Sequence, residues 1–162
     1  MRILLIGLYI VQIIIALTIL MTTLGVFIMA FPNGLRDTFM VSLENSAVNG
    51  TVDRIGLGFF MATLVAIVWF YVLNILRKVV QTILRGDPFI VDNISRLRRM
   101  WVIIAAVEIL RIIFNLAFPL NTDAGMTVSL KFETWFLVFV FAILSEAFRY
   151  GAEMRRDQEL TI

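Results

Sequence analysis

Twenty-nine consecutive residues, Ile3 to Phe31, contain no charged side chain. Few features constrain a chain more. The run is too long for the apolar region of a signal peptide, about 7–15 residues, and no Ala-x-Ala exit follows it. As a helix it covers about 43 Å, more than the roughly 30 Å of a hydrocarbon core. It reads as a retained membrane helix that tilts or protrudes. Three further blocks follow. Gly56 to Leu76 is uncharged, Met100 to Pro119 holds only Glu108 and Arg111, and Thr134 to Ser145 is clean. Overall, 60% of residues are hydrophobic and 16% charged, against about 45–50% and 25% in soluble domains.

One membrane domain over 1–162 is therefore expected, with spans at 3–31, 56–76, 100–119 and 134–150. Charge orients them. Ten basic residues fall in the N-terminus, the segment 77–99 and the C-terminal tail; three, Arg36, Arg54 and Lys131, fall in the other connections. By the positive-inside rule both termini are cytoplasmic. The expected fold is an all-α protein with four transmembrane helices, a cytoplasmic hairpin at 77–99 and a cytoplasmic helical extension at 151–162. Outer loops cover 32–55 and 121–133. The bilayer is the first partner this implies.

Leu35, Phe39 and Leu43 recur at four-residue spacing, which predicts a short surface helix or a loop cap. Val128, Leu130 and Phe132 alternate with polar residues and hint at a short strand. Gly58, Ala62 and Ala66 form a ridge of small residues. It suits packing within the chain first and a homo-oligomer second. At the hairpin, Gly86 fits a helix C-terminus and Asp92 or Asn93 a helix cap. The tail helix is expected to fray near Gln158.

Glu108 and Arg111 lie inside a span, three residues apart on one face, with Asn115 beyond them. Gln12 falls at a similar depth when counted from Arg2. The four are read as one intramembrane polar cluster. Its plainest role is an ion pair that fixes helix register; its other role is an ion path or ligand contact. The chain has no cysteine and no histidine. That removes disulfides, thiol chemistry and the usual zinc sites. No nucleophile–base pair, phosphate loop or paired carboxylate stands in a span, so no enzyme, metal or cofactor is predicted. The arginines of 77–99 read as topology signals and lipid contacts, not as a direct nucleic-acid site.

Two stretches resemble a known family. Gly86 to Met100, GDPFIVDNISRLRRM, carries Gly86, Pro88, Phe89, Asn93, Arg96, Leu97 and Arg98 in a G-x-PF-x-x-x-N-x-x-R-L-R pattern. The tail carries Glu146, Phe148, Gly151, Glu159, Leu160, Thr161 and Ile162, with Met154 where the pattern has leucine. Both are similar to domain-of-unknown-function family 2975, small bacterial four-helix membrane proteins. The resemblance implies no catalytic residue. It implies an integral membrane protein, often encoded beside a small helix-turn-helix regulator. The function expected is regulation or interaction, with hairpin and tail docking a soluble partner. The alternative is a small oligomeric transporter or channel built on Glu108 and Arg111.

Overall fold

The computed structural model describes residues 2–30, 34–44, 52–117 and 131–160. They form α1 (Arg2–Ala30), α2 (Leu35–Glu44), α3 (Val52–Leu84), α4 (Val91–Ala117) and α5 (Phe132–Leu160). All but α2 are long and apolar enough to cross a membrane. Large apolar side chains such as Ile14, Leu20, Phe136 and Phe139 stay exposed along them. Such surface suits lipid, where helices satisfy their own backbone hydrogen bonds and apolar side chains need no cover.

α3 and α4 form the centre; α1 packs on α3 and α5 on α4. The core is small and sits toward the α3–α4 turn. Val72, Ile75 and Val79 of α3 meet Leu97, Met100 and Ile104 of α4, and Val138 of α5 joins them. Three- and four-residue spacing puts each set on one helix face. The buried stripe of α4 is Asn93, Leu97, Met100, Ile104 and Glu108. It is polar at both ends and apolar between, and its ends lie about 22 Å apart at helical rise.

α1 approaches α3 closely because Gly25 lacks a side chain. A Cβ at Gly25 would stand 2.8 Å from the Phe59 ring. The Gly58–Ala62–Ala66 ridge does not make this contact. A Cβ at Gly58 would meet nothing within 4 Å, and Ala62 is exposed. At Gly58 and Ala62 the ridge takes no part in the close approach of α1, which runs through Phe59 instead. The short helix expected after Phe31 is present as α2. Its Phe39 ring lies 6.0 Å from that of Phe59. Gly34, at φ +63°, precedes it, and its carbonyl accepts from the Thr38 backbone N–H at 3.0 Å.

α3 has 33 residues and measures about 50 Å. It exceeds a hydrocarbon core, so part of it stands clear of the apolar layer. Gly86 takes φ +86°, and its N–H donates to the Ile83 carbonyl at 3.1 Å. The Asp87 N–H donates to the Thr82 carbonyl at 3.3 Å. These two bonds are a Schellman closure, and the left-handed residue in it is glycine, which has no Cβ to strain. Neither Asp92 nor Asn93 caps α4, contrary to expectation. The helix begins at Val91, which leaves both inside the first turn. Asp92 suits that place by the helix dipole, and Asn93 has another task. α5 continues through Gln158 to Leu160 rather than fraying there. It also takes in Phe132, while the rest of the strand predicted at 128–132 lies outside the described residues apart from Lys131.

Candidate functional site

The hairpin and the tail meet. Asn93 is fully buried, and its Nδ2 donates to the Pro88 carbonyl at 2.9 Å and to Thr82 Oγ1 at 2.6 Å. The Thr82 hydroxyl donates to the Val79 carbonyl at 2.7 Å. Asn93 Oδ1 accepts from Arg96 Nη1 at 3.0 Å, and Arg96 also reaches Asp92 at 3.5 Å. One amide thus ties the end of α3, the turn and the start of α4 together. Each buried polar group that is satisfied avoids a penalty of about 1–3 kcal/mol. Leu97 lies in the core one turn on, and Arg98 is exposed.

Phe89 projects from the turn onto α5. A Cβ at Gly151 would lie 2.5 Å from its ring, so the ring rests on bare backbone. The Phe148 ring lies beside it, centroids 5.6 Å apart. Asp87 and Arg155 form an ion pair alongside. Both are about half exposed, so that pair is worth about 0–1 kcal/mol. The covered part of Phe89 contributes more, since full burial of such a side chain is worth about 1.5–3 kcal/mol. The contact is therefore an apolar clasp with an ionic guide. Glu146 is exposed and pairs with Arg149 at 2.9 Å. Glu159 and Leu160 belong to the last turn of α5, with side chains outside the described residues; Thr161 and Ile162 also lie outside them.

Glu108 and Arg111 join in a two-pronged bond on α4. Arg111 Nε reaches Glu108 Oε2 at 3.0 Å and Nη2 reaches Oε1 at 2.5 Å. Glu108 is 4% exposed. A lone charge inside a span is costly, about 2.5–3.5 kcal/mol at a helix centre on insertion scales, which favours this pairing. Asn115 is half-buried one turn beyond Arg111. The pair borders a cavity of about 270 Å³ between α3, α4 and α5, which Lys131, Glu133 and Thr134 also line.

Gln12 does not belong to that cluster. It is 6% exposed; its Nε2 donates to Asn74 Oδ1 at 3.2 Å and its Oε1 accepts from Arg77 Nη1 at 3.3 Å. The Arg77 guanidinium lies 5.2 Å from the Tyr9 ring centroid. Glu108 shares its cavity with Val65, Val68 and Val72 of α3, and Asn74 stands about 9 Å past Val68 toward the hairpin. Counting from Arg2 gives only an approximate depth for Gln12. Depth also says nothing about which face of a helix a residue occupies. Gln12 instead holds α1 to α3. Gln12→Leu is expected to cost about 1–3 kcal/mol, because it removes a bonded partner from Asn74 and Arg77. Denaturation by dodecyl sulfate in mixed micelles measures this, and Gln12→Leu/Asn74→Leu recovers part of the loss.

The sequence alone gives no role to Thr82 or to the Asp87–Arg155 pair, and it presents Asn74 as an ordinary interfacial residue and Arg77 as a topology signal. Asn74 and Arg77 carried a signal, as polar residues one turn apart at the end of an apolar run. Gly151 carried another. A mid-helix glycine costs about 1 kcal/mol, which points to a close packing contact.

Four apolar helices, a capped turn and a docked tail define an all-α, multi-pass membrane protein in contact with the bilayer. A family model, protein of unknown function DUF2975, matches residues 40–162, and the chain belongs to that family. No curated protein and no solved structure matches it.

Proposed function

We propose that the protein is a non-enzymatic regulatory or interaction protein of the bacterial inner membrane. In this reading the hairpin and tail face the cytoplasm and dock a soluble partner. The observation that carries it is the clasp. Phe89 of the first family-like motif rests on Gly151 and Phe148 of the second, so two motifs far apart in sequence make one surface. Arg85, Arg98, Arg99 and Arg156, on the same helix ends, are exposed, which suits a partner with an acidic face. The basic excess at this end supports its cytoplasmic placement. The resemblance points to a small helix-turn-helix regulator as that partner. Transport through Glu108 and Arg111 has less support, because the two bind each other and Gln12 lies elsewhere.

Affinity capture from native membranes tests the reading. Arg98→Glu/Arg99→Glu reverses two exposed charges without touching the core. Wild type is expected to retain a soluble partner, and the variant to lose at least ten-fold of it with helicity unchanged. Equal recovery by both, or a reporter after Ile162 that labels from outside, overturns the proposal.

A further inference from the structure

We infer that the cavity between α3, α4 and α5 binds one acyl chain of a zwitterionic amphiphile, with its headgroup at the Lys131–Glu133 end. The inference goes beyond the docking reading and does not depend on it. The cavity has a direction. Val72, Ile104 and Leu137 line its end nearer the α3–α4 turn; Arg111, Lys131, Glu133 and Thr134 line the other. Because α5 starts at Phe132 and α4 ends at Ala117, those polar residues share one end. An apolar floor and a charged mouth fit a tail and a head.

Size limits the tail. At about 270 Å³ the space falls just below the roughly 300–1,000 Å³ of drug-sized pockets. It has room for part of one acyl chain and not for two. Charge selects the head. Glu108 and Arg111 neutralise each other through two bonds. Lys131 and Glu133, both exposed at the mouth, then offer one charge of each sign. A purely anionic head would meet Glu133, and a purely cationic one would meet Lys131. A phosphate beside an ammonium satisfies both. The chain comes from a lysolipid or from one tail of a bilayer phospholipid.

Trp69 lines the cavity and reports on it. The full-length chain carrying Trp101→Phe and Trp135→Phe is placed in phosphatidylglycerol nanodiscs. It is then titrated with chain-brominated lysophosphatidylethanolamine. We expect saturable quenching, half-complete at a mole fraction at least ten-fold lower than for brominated lysophosphatidylglycerol. Brominated diacyl phosphatidylethanolamine gives the same saturation if a bilayer lipid supplies the chain, and a shallow linear loss if a lysolipid does. Val107→Phe fills the cavity and abolishes saturation; Val65→Phe serves if the first variant does not fold. Lys131→Gln/Glu133→Gln reduces the headgroup preference to less than two-fold. Quenching that rises linearly for every probe overturns the inference. So does saturation that survives the filled cavity, or equal response to the two lysolipid heads.

Discussion

Arg111→Leu is expected to destabilise the folded protein by about 3–5 kcal/mol, the usual consequence of removing one partner from a buried ion pair. The carboxylate left behind is the more enclosed of the two, since the Glu108 side chain is 5% exposed and that of Arg111 19%. A long arginine can also lean toward water, whereas a glutamate on this face has little reach. Arg111→Leu should therefore cost more than Glu108→Leu. The double variant Glu108→Leu/Arg111→Leu should return close to wild type, because it leaves no charge to bury. Lys131 lines the same cavity and will take up part of the exposed carboxylate's field, which places the loss nearer the lower figure. Dodecyl sulfate titration of the four proteins closes a double-mutant cycle. Three outcomes would show that the pair does not hold the α3–α4–α5 interface: a near-neutral Arg111→Leu, a reversed order of the two single variants, or a double variant as weak as Arg111→Leu alone.

The helices were plain in the sequence because lipid demands long uncharged runs, and nothing else in a small protein supplies them. Their neighbours were not plain. In water, an apolar stripe marks the face that packs; in a bilayer, apolar residues face lipid and protein alike. α1 shows the difficulty. It is apolar all round, and its contacts with α3 run through Gly25 and Gln12. The small-residue ridge on α3 looked like the packing face, yet at Gly58 and Ala62 it takes no part in that approach. Polar residues gave better guidance, but only along the helix axis. The depth of Gln12 was read approximately and its partner wrongly, since a residue's face depends on its neighbour helix. Glu108 and Arg111, both on α4, needed no such knowledge, because three-residue spacing alone lets them meet.

The hairpin was legible in a different way. Gly86 declares a left-handed residue and Pro88 a helix end, so the turn follows from local chemistry. Asn93 was recognised as special and assigned the wrong task. A cap binds its own helix, whereas this side chain reaches Thr82 of α3. Nothing local separates those two uses. The same holds for Asp87 and Arg155, whose pairing depends on where α5 ends relative to the turn. The two ends of the buried α4 stripe, Asn93 and Glu108, thus answer to different surroundings. One fastens the α3–α4 turn, and the other sits at a charged cavity. A single rigid helix holds both, so displacement of α4 at the cavity would be felt at the clasp.

Gly151→Leu is expected to part the tail from the hairpin while the four spans stay folded. The added side chain would occupy the space of the Phe89 ring, which already stands 2.5 Å from a Cβ position there. Overpacking of this kind costs about 1–3 kcal/mol. The Asp87–Arg155 pair cannot offset it, because exposed pairs contribute about 0–1 kcal/mol. Gly151→Ala is the informative contrast. It gains up to about 1 kcal/mol of helix propensity, and Phe89, 39% exposed, has room to shift, so the change should be close to neutral. Spin labels at Arg85 and Arg156, both exposed, read the separation directly. In wild type and Gly151→Ala the distance distribution should be narrow. In Gly151→Leu it should broaden and lengthen, with the ratio of docked to undocked tails falling about ten-fold for each 1.4 kcal/mol lost. Phe89→Ala in the Gly151→Leu background removes the clash and should restore the short distance, a result that a general loss of stability could not produce. If Gly151→Leu keeps the narrow distribution, the tail is held by something other than the Phe89 contact, and the docking surface proposed here has no physical basis.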